Sequence, residues 1–225
     1  MKKYPDNAEL LILMGQTKVA QNKLDDAQKV YRAAIAKQPK DPNPYSALSD
    51  LFVRQKNYGA ASDIVQAGLR EQPQNLSLLL VAAGLQIQSG NDDRAISQYE
   101  TILKDQPNSL LAINNLASLL LDHRSDKQSI DRAVALSEKL QGSAVPQFED
   151  TIGWAQFKNG NPQGAVATLE AAVIKLPNLA AVHYHLGMGY AATGRSDQAK
   201  EQFQKALAME PEGTPLKASI RAAIK

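Results

Sequence analysis

Cysteine is absent from the 225 residues. That excludes disulfides, a thiolate nucleophile and a cysteine zinc site, and it leaves cytoplasm and periplasm equally open. An excess of one charge is absent too, with Lys+Arg 25 against Asp+Glu 23. A dedicated nucleic-acid binder usually shows a strong basic surplus, so that class is disfavoured. Long apolar runs are missing: the richest stretch, Leu76 to Leu85, falls short of the roughly 18 residues a membrane span needs. Met1-Lys2-Lys3 begins like a secretory signal, but Pro5-Asp6-Asn7 intervenes before any apolar segment. An export signal, if the gene carries one, is expected outside this chain. What is present is 44% hydrophobic residues in a chain long enough to bury a core without staples.

The sequence repeats itself at a fixed interval. Pro5, Pro39, Pro73 and Pro107 are evenly spaced by 34 residues, and the same interval separates Pro177 from Pro211. Ala27, Ala61, Ala95, Ala165 and Ala199 keep step, each 12 residues before a proline. Within one unit the pattern is two amphipathic helices and a turn. In the last, Leu186, Gly187 and Tyr190 share a helical face. Gly194 suits a left-handed helix end, and Gly90 and Gly160 hold the equivalent position. Ala199, Phe203, Ala206 and Leu207 mark the buried face of the second helix, which Pro211 prevents from continuing. Asp41, Asn75 and Ser109 stand where a side-chain oxygen can cap the next helix. Gly187 and Ala199 are small enough to let the paired helices approach closely.

His183, Leu186-Gly187, Tyr190, Ala199, Phe203 and Pro211 together resemble the signature of tetratricopeptide repeat (TPR) proteins. Leu11, Met14-Gly15, Ala27, Tyr31, Ala34 and Pro39 repeat it, with Lys18 where tyrosine is usual, and Ile152-Gly153, Ala165, Leu169, Ala172 and Pro177 do so again. The resemblance implies an all-α, right-handed superhelical solenoid in one domain, 1–225. Its six helical hairpins are expected at 8–41, 42–75, 76–109, 110–145, 146–179 and 180–213, with a C-terminal capping helix at 214–225. The fourth repeat departs from the pattern. Ala133 arrives four residues late, which predicts a longer turn around Arg124-Ser125-Asp126-Lys127. Its second helix is expected to end at Gln141-Gly142-Ser143. In the tail, Leu216, Ile220, Ala223 and Ile224 form a stripe that can cover the sixth repeat, while Lys217, Arg221 and Lys225 are expected in water. Pro5 occupies the proline position of a repeat otherwise absent, so the chain reads as part of a longer array.

Chemistry is hard to find. His183 and His185 lie two apart on one helix, about 200° around its axis, and cannot chelate one metal together. His183 takes the packing position, His185 faces the other way, and His123 is expected in water. Asp25-Asp26 and Asp92-Asp93 sit where second helices begin, which the helix dipole explains. No phosphate loop, G-x-S-x-G elbow or H-E-x-x-H motif occurs. No catalytic residue, metal ligand or cofactor is expected, and the chain reads as a non-enzyme.

What remains is a surface. The family resemblance implies that positions 2, 5, 6, 9, 12 and 13 of each repeat line a concave groove that takes partner segments. Helical geometry agrees, because Gln147, Asp150, Trp154, Phe157 and Lys158 fall within about a third of a helix circumference. The partner-binding candidates are Asn114, Asn115, Ser118, Asp122, Asp150, Trp154, Lys158, Tyr184, His185 and Met188. Asn43, Ser46, Asp50 and Arg54 hold these positions in the second repeat, and Leu80, Val81, Gly84 and Ile87 in the third. Trp and Tyr favour binding hot spots, and Asn115 can donate to and accept from a peptide backbone. Trp154 and Phe157 have a second reading, as packing between adjacent helices.

The expected function is a protein-interaction scaffold, with a peptide or protein partner, no nucleic acid and no membrane span. Homo-oligomerisation is left open. Ala112-Ile113-Asn114-Asn115-Leu116-Ala117, Asp150-Thr151-Ile152-Gly153-Trp154 and His183-Tyr184-His185-Leu186-Gly187 resemble bacterial cell-envelope TPR proteins. Those include exosortase-associated lipoproteins and exopolysaccharide-secretion scaffolds. A self-assembling array and the targeting or regulatory arm of a larger enzyme are the competing readings.

Overall fold

A computed structural model describes residues 7–224; the readings on Met1-Lys2-Lys3, Pro5 and Lys225 lie outside these residues. The described residues form thirteen helices and no strand. They are α1 (Ala8–Ala20), α2 (Leu24–Lys37), α3 (Pro42–Arg54), α4 (Tyr58–Glu71), α5 (Leu76–Gln88), α6 (Asp92–Asp105) and α7 (Leu110–His123). They continue with α8 (Lys127–Glu138), α9 (Pro146–Lys158), α10 (Pro162–Lys175), α11 (Ala180–Ala192), α12 (Ser196–Met209) and α13 (Pro215–Ile224). They gather into two compact bodies, one ending at Asp105 and the other beginning at Gln106. In each body successive helices pair as antiparallel hairpins, and each hairpin packs on the next. Each is an all-α helical-repeat solenoid.

Backbone bonding explains the hairpin. In five repeats the first helix closes with a bond from the third turn residue back across the helix end: Lys23 N–H to Lys18 O, Asn57 to Phe52, Asn91 to Gln86, Asn161 to Gln156 and Arg195 to Tyr190, all 2.8–2.9 Å. That closure needs a left-handed residue just before the donor. Gly90, Gly160 and Gly194 supply it at φ 72°, 80° and 77°, and Asn22 and Lys56 adopt it at 56° and 57°. Between hairpins, Asp41, Asn75 and Ser109 cap α3, α5 and α7 through their side chains. Their own N–H groups donate to Gln38, Gln72 and Gln106, the residues preceding the repeat prolines.

The signature alanines are all core residues: Ala27, Ala61, Ala95, Ala133 and Ala165 are fully buried and Ala199 nearly so. Size is limited most at the first-helix glycine, whose nearest neighbour is the residue four positions beyond the alanine rather than the alanine itself, Phe203 at Gly187 and Leu169 at Gly153. A Cβ on Gly153 would sit 2.6 Å from Leu169 Cγ, a distance real contacts do not reach.

The fourth repeat corrects an expectation. Its turn, residues 124–126, is as short as the others, but extended at Arg124 and Asp126. The displacement of Ala133 comes from α7, which runs 14 residues where the other first helices run 13, and from an extra helical turn before Ala133 in α8. Asp126 caps that added turn by accepting from Ser129 N–H. α8 then stops at Glu138, earlier than expected, and Gly142 turns the chain at φ 77°.

The tail also differs in one respect. α13 packs on α12 and α11, and Ile220 is fully buried. Lys217, expected in water, is nearly buried: its ammonium donates to Glu210 O at 2.6 Å and pairs with Glu212 at 3.0 Å. It satisfies a carbonyl at the end of α12 that would otherwise lack a partner.

Candidate functional site

The candidate residues come from α7, α9 and α11, three successive first helices of the second body. Their side chains bond to one another. Thr151 Oγ1 donates to Asn114 Oδ1 at 2.8 Å, which leaves Ser118 Oγ to donate to Thr151 at 3.0 Å. Trp154 Nε1–H donates to Asp122 Oδ1 at 2.9 Å. His185 Nδ1 lies 2.8 Å from Asp150 Oδ1, and its Nε2 lies 3.9 Å from Asp122 Oδ1. The indole of Trp154 is stacked with both His185 and Phe157, at centroid distances of 4.2 and 4.9 Å. Tyr184 meets it edge-on at 6.1 Å. The Lys158 ammonium lies 4.9 Å from the indole centroid.

This arrangement divides the predicted site. Trp154 and His185 are 4% and 6% exposed, so they form a floor rather than a contact surface. Of the two readings of Trp154, packing between adjacent helices describes its position. Asn114, Asn115, Ser118, Asp122, Asp150, Lys158, Tyr184 and Met188 keep some solvent access above it. Thr151 was missed by sequence reasoning, although it is buried and joins α9 to α7. A usable signal existed: the bonded pairs Asp122–Trp154, Asp150–His185 and Asn114–Thr151 are 32 to 37 residues apart, close to one repeat length. His183 packs as expected, held by Gln202 Oε1 at 2.6 Å and Pro177 O at 3.0 Å.

Electrostatics follow from this burial. Burial alone would depress the His185 pKa, but the adjacent Asp150, its hydrogen bond and the Asp122 charge outweigh burial and the opposing Lys158, and the pKa is raised. Desolvation, then Asp122, raises the Tyr184 phenol above its ordinary range. Among the described residues, no group of three or more His, Cys, Asp or Glu is placed to hold a metal ion.

The first body is arranged differently at the same repeat positions. A cleft of about 360 Å³ lies between α1 and α3, lined by Gln16, Val19, Ala20, Tyr31, Ala47, Asp50, Leu51 and Arg54. A second, of about 450 Å³, shares Gln16, Ala47 and Asp50 with it and adds Glu9, Ile12, Leu13 and Asn43. Desolvation raises the Asp50 pKa, with Arg54 pulling the other way. Ser46 Oγ is buried and makes no hydrogen bond.

The helical hairpins and buried alanine contacts define a helical-repeat protein, and sequence profiles of the tetratricopeptide repeat match residues 12–75, 52–120 and 180–212. The chain is a tetratricopeptide repeat protein. No curated protein matches it in sequence. Its fold is shared by the APC/C hetero-tetramer Cut9-Hcn1 at 15% identity and TM-score 0.75, over 99% of this chain and 44% of that one. A tetratricopeptide repeat protein from Parabacteroides merdae matches at 18% identity and TM-score 0.60, over 97% and 99% of the two chains. The human IFIT1 dimer with m7Gppp-AAAA matches at 17% identity and TM-score 0.66, over 96% and 53%. This chain thus spans less than half the Cut9-Hcn1 chain it matches, and identities this low show the fold alone. Tetratricopeptide repeats are in general non-catalytic interaction scaffolds, and no helix among the described residues is long and apolar enough to cross a membrane.

Proposed function

We propose that this chain is a non-catalytic scaffold that holds a segment of another polypeptide along the first helices of its repeats. The observation that carries this reading is the second body's aromatic floor, fixed by side-chain bonds and bordered by accessible residues of several chemistries. Tyr184 and Phe157 offer apolar area, Asn115 offers a donor and an acceptor, and Lys158 and Asp122 offer both charges. Binding is less costly when the receiving side chains are already ordered.

Pull-down from envelope and soluble fractions of the native organism, followed by cross-link mapping, identifies the partner and its position. Tyr184→Ala is expected to weaken binding by about 2 kcal/mol, about 30-fold, and Asn115→Ala by less. Wild-type affinity in both variants moves the site to another face. The clefts between α1 and α3 then become the leading alternative, because Gln16, Asn43, Asp50 and Arg54 line open space there. A bacterial-envelope role in protein sorting or exopolysaccharide secretion is the narrower form of the proposal, supported by the wording of repeats four to six. Recovery of the partner only from the soluble fraction removes it. Light scattering over a concentration range separates partner binding from self-assembly, and the gene's flanking sequence shows whether a catalytic domain is attached.

A further inference from the structure

Three polar groups and one ring in the second body form a device that the scaffold reading does not use. His185 is almost fully buried, yet both ring nitrogens face carboxylates from different repeats. Asp150 comes from α9 and Asp122 from α7, so one imidazole on α11 ties three first helices together. Asp122 Oδ1 also accepts the Trp154 indole N–H. We propose that His185, Asp150 and Asp122 form a proton-dependent latch. The His185 imidazolium holds Asp122 over Trp154, and loss of its Nε2 proton releases Asp122 and loosens α7 from α9 and α11.

The two nitrogens have unequal roles. An ionised Asp150 can only accept, so Nδ1 must carry a proton to make the 2.8 Å bond, whether the ring is charged or neutral. The titrating proton is therefore the one on Nε2. With it, Nε2–H and Asp122 attract across 3.9 Å. Without it, a nitrogen lone pair faces a carboxylate oxygen and the attraction becomes repulsion. The Asp150 arm survives deprotonation, and the Asp122 arm does not.

The surroundings set the pH at which this occurs. The helices packed on α11 are α9, α10, α12 and α13. α9 contributes Asp150 and Lys158, whose ammonium opposes protonation. α7 contributes Asp122. α10, α12 and α13 contribute no charged group that bears on the ring, and the polar Gln202 of α12 is taken by His183. Tyr184, the neighbour on α11, sits with its ring 5.8 Å from the imidazole. The balance favours the proton, so release falls above the ordinary histidine value of 6.5.

Trp154 is the only tryptophan in the chain, so its fluorescence reports the latch directly. In the full chain, a stacked imidazolium should quench emission at low pH. Emission should recover as pH rises, with a midpoint above 6.5, and quenching by acrylamide should increase across the same midpoint as Asp122 lets go. Asp122→Asn keeps an acceptor for the indole but removes the charge, and should shift the midpoint downward. Its side chain is 44% exposed, so the fold should tolerate the change. Nitrogen-15 NMR of the histidines should show the neutral His185 ring protonated on Nδ1. A midpoint at or below 6.5, one unmoved by Asp122→Asn, a flat acrylamide response or a neutral ring protonated on Nε2 each overturns the latch. None of these readouts uses a partner, so the latch and the scaffold reading stand or fall separately.

Discussion

The two bodies carry the same repeat positions to different ends. At the ninth position the first body has Gln16, Asp50 and Gly84, and the second has Ser118, Trp154 and Met188. At the sixth, Leu13, Ala47 and Val81 stand against Asn115, Thr151 and His185. In the first body Gln16, Ala47 and Asp50 line open clefts between α1 and α3. In the second body the same positions hold large or hydrogen-bonding side chains that satisfy one another across α7, α9 and α11. A repeat architecture thus fixes where a side chain points. Whether that direction is a surface or a packed layer depends on the residue one repeat away.

The largest test of this contrast is Trp154→Ala. Removing a buried indole should cost about 3–5 kcal/mol, because the floor loses its stacking partners and Asp122 its donor. Urea denaturation followed by circular dichroism measures it. Asp50→Ala, at the equivalent position of the first body, should stay within about 0.5 kcal/mol, as surface changes usually do. Equal effects at the two positions would erase the distinction between a filled and an open face. Gly153→Leu comes next, at about 1–3 kcal/mol, since its side chain must displace Leu169 from a 2.6 Å approach. An unchanged melting temperature would mean that α9 and α10 are not held as tightly as that contact requires.

The hairpins were legible because each depends on local signals. Proline and alanine spacing, left-handed turn residues and caps all act locally: the spacing holds in five repeats, glycine takes the left-handed position in three of them, and Asp41, Asn75 and Ser109 cap three first helices. The fourth was misread because its late Ala133 suggested a longer turn, whereas the chain absorbed the extra residues as helix in α7 and α8. The groove residues were found as a group but not as a layer. Their direction follows from helix periodicity, while the burial of Trp154 and His185 depends on Asp122 and Asp150, 32 and 35 residues away. Lys217 was misplaced for a similar reason, since its partners, Glu210 and Glu212, lie beyond the helix that carries it.

The contrast also has a pH signature. His185 gains carboxylate partners on folding and its pKa is raised. The resulting stabilisation is complete below the unfolded pKa, near 6.5, and drains away as pH rises through the folded value. Urea midpoints read from Trp154 fluorescence should therefore fall over that window, and His185→Gln should flatten the fall. Asp50 in the first body has the same sign in a lower window: desolvation raises its pKa, so its contribution is fullest at low pH, where the carboxyl is protonated, and falls as pH rises through the carboxylate range. A second body whose stability rose through the window would show His185 to be neutral in the folded chain.

The smallest expected effect bears on the first body. Gly84 lies within α5 at the ninth position, and a Cβ added there meets nothing within 4 Å. Glycine inside a helix carries an entropic cost relative to alanine, so Gly84→Ala should stabilise the chain by roughly 0.5–1 kcal/mol. Gly187→Ala in α11 provides the opposite control, because its Cβ would lie 2.5 Å from the Phe203 ring and should destabilise. Thermal unfolding of both variants gives the signs directly. A loss of stability in Gly84→Ala would mean that another group covers that position. The open character of the first body would then not extend from α1 and α3 to α5.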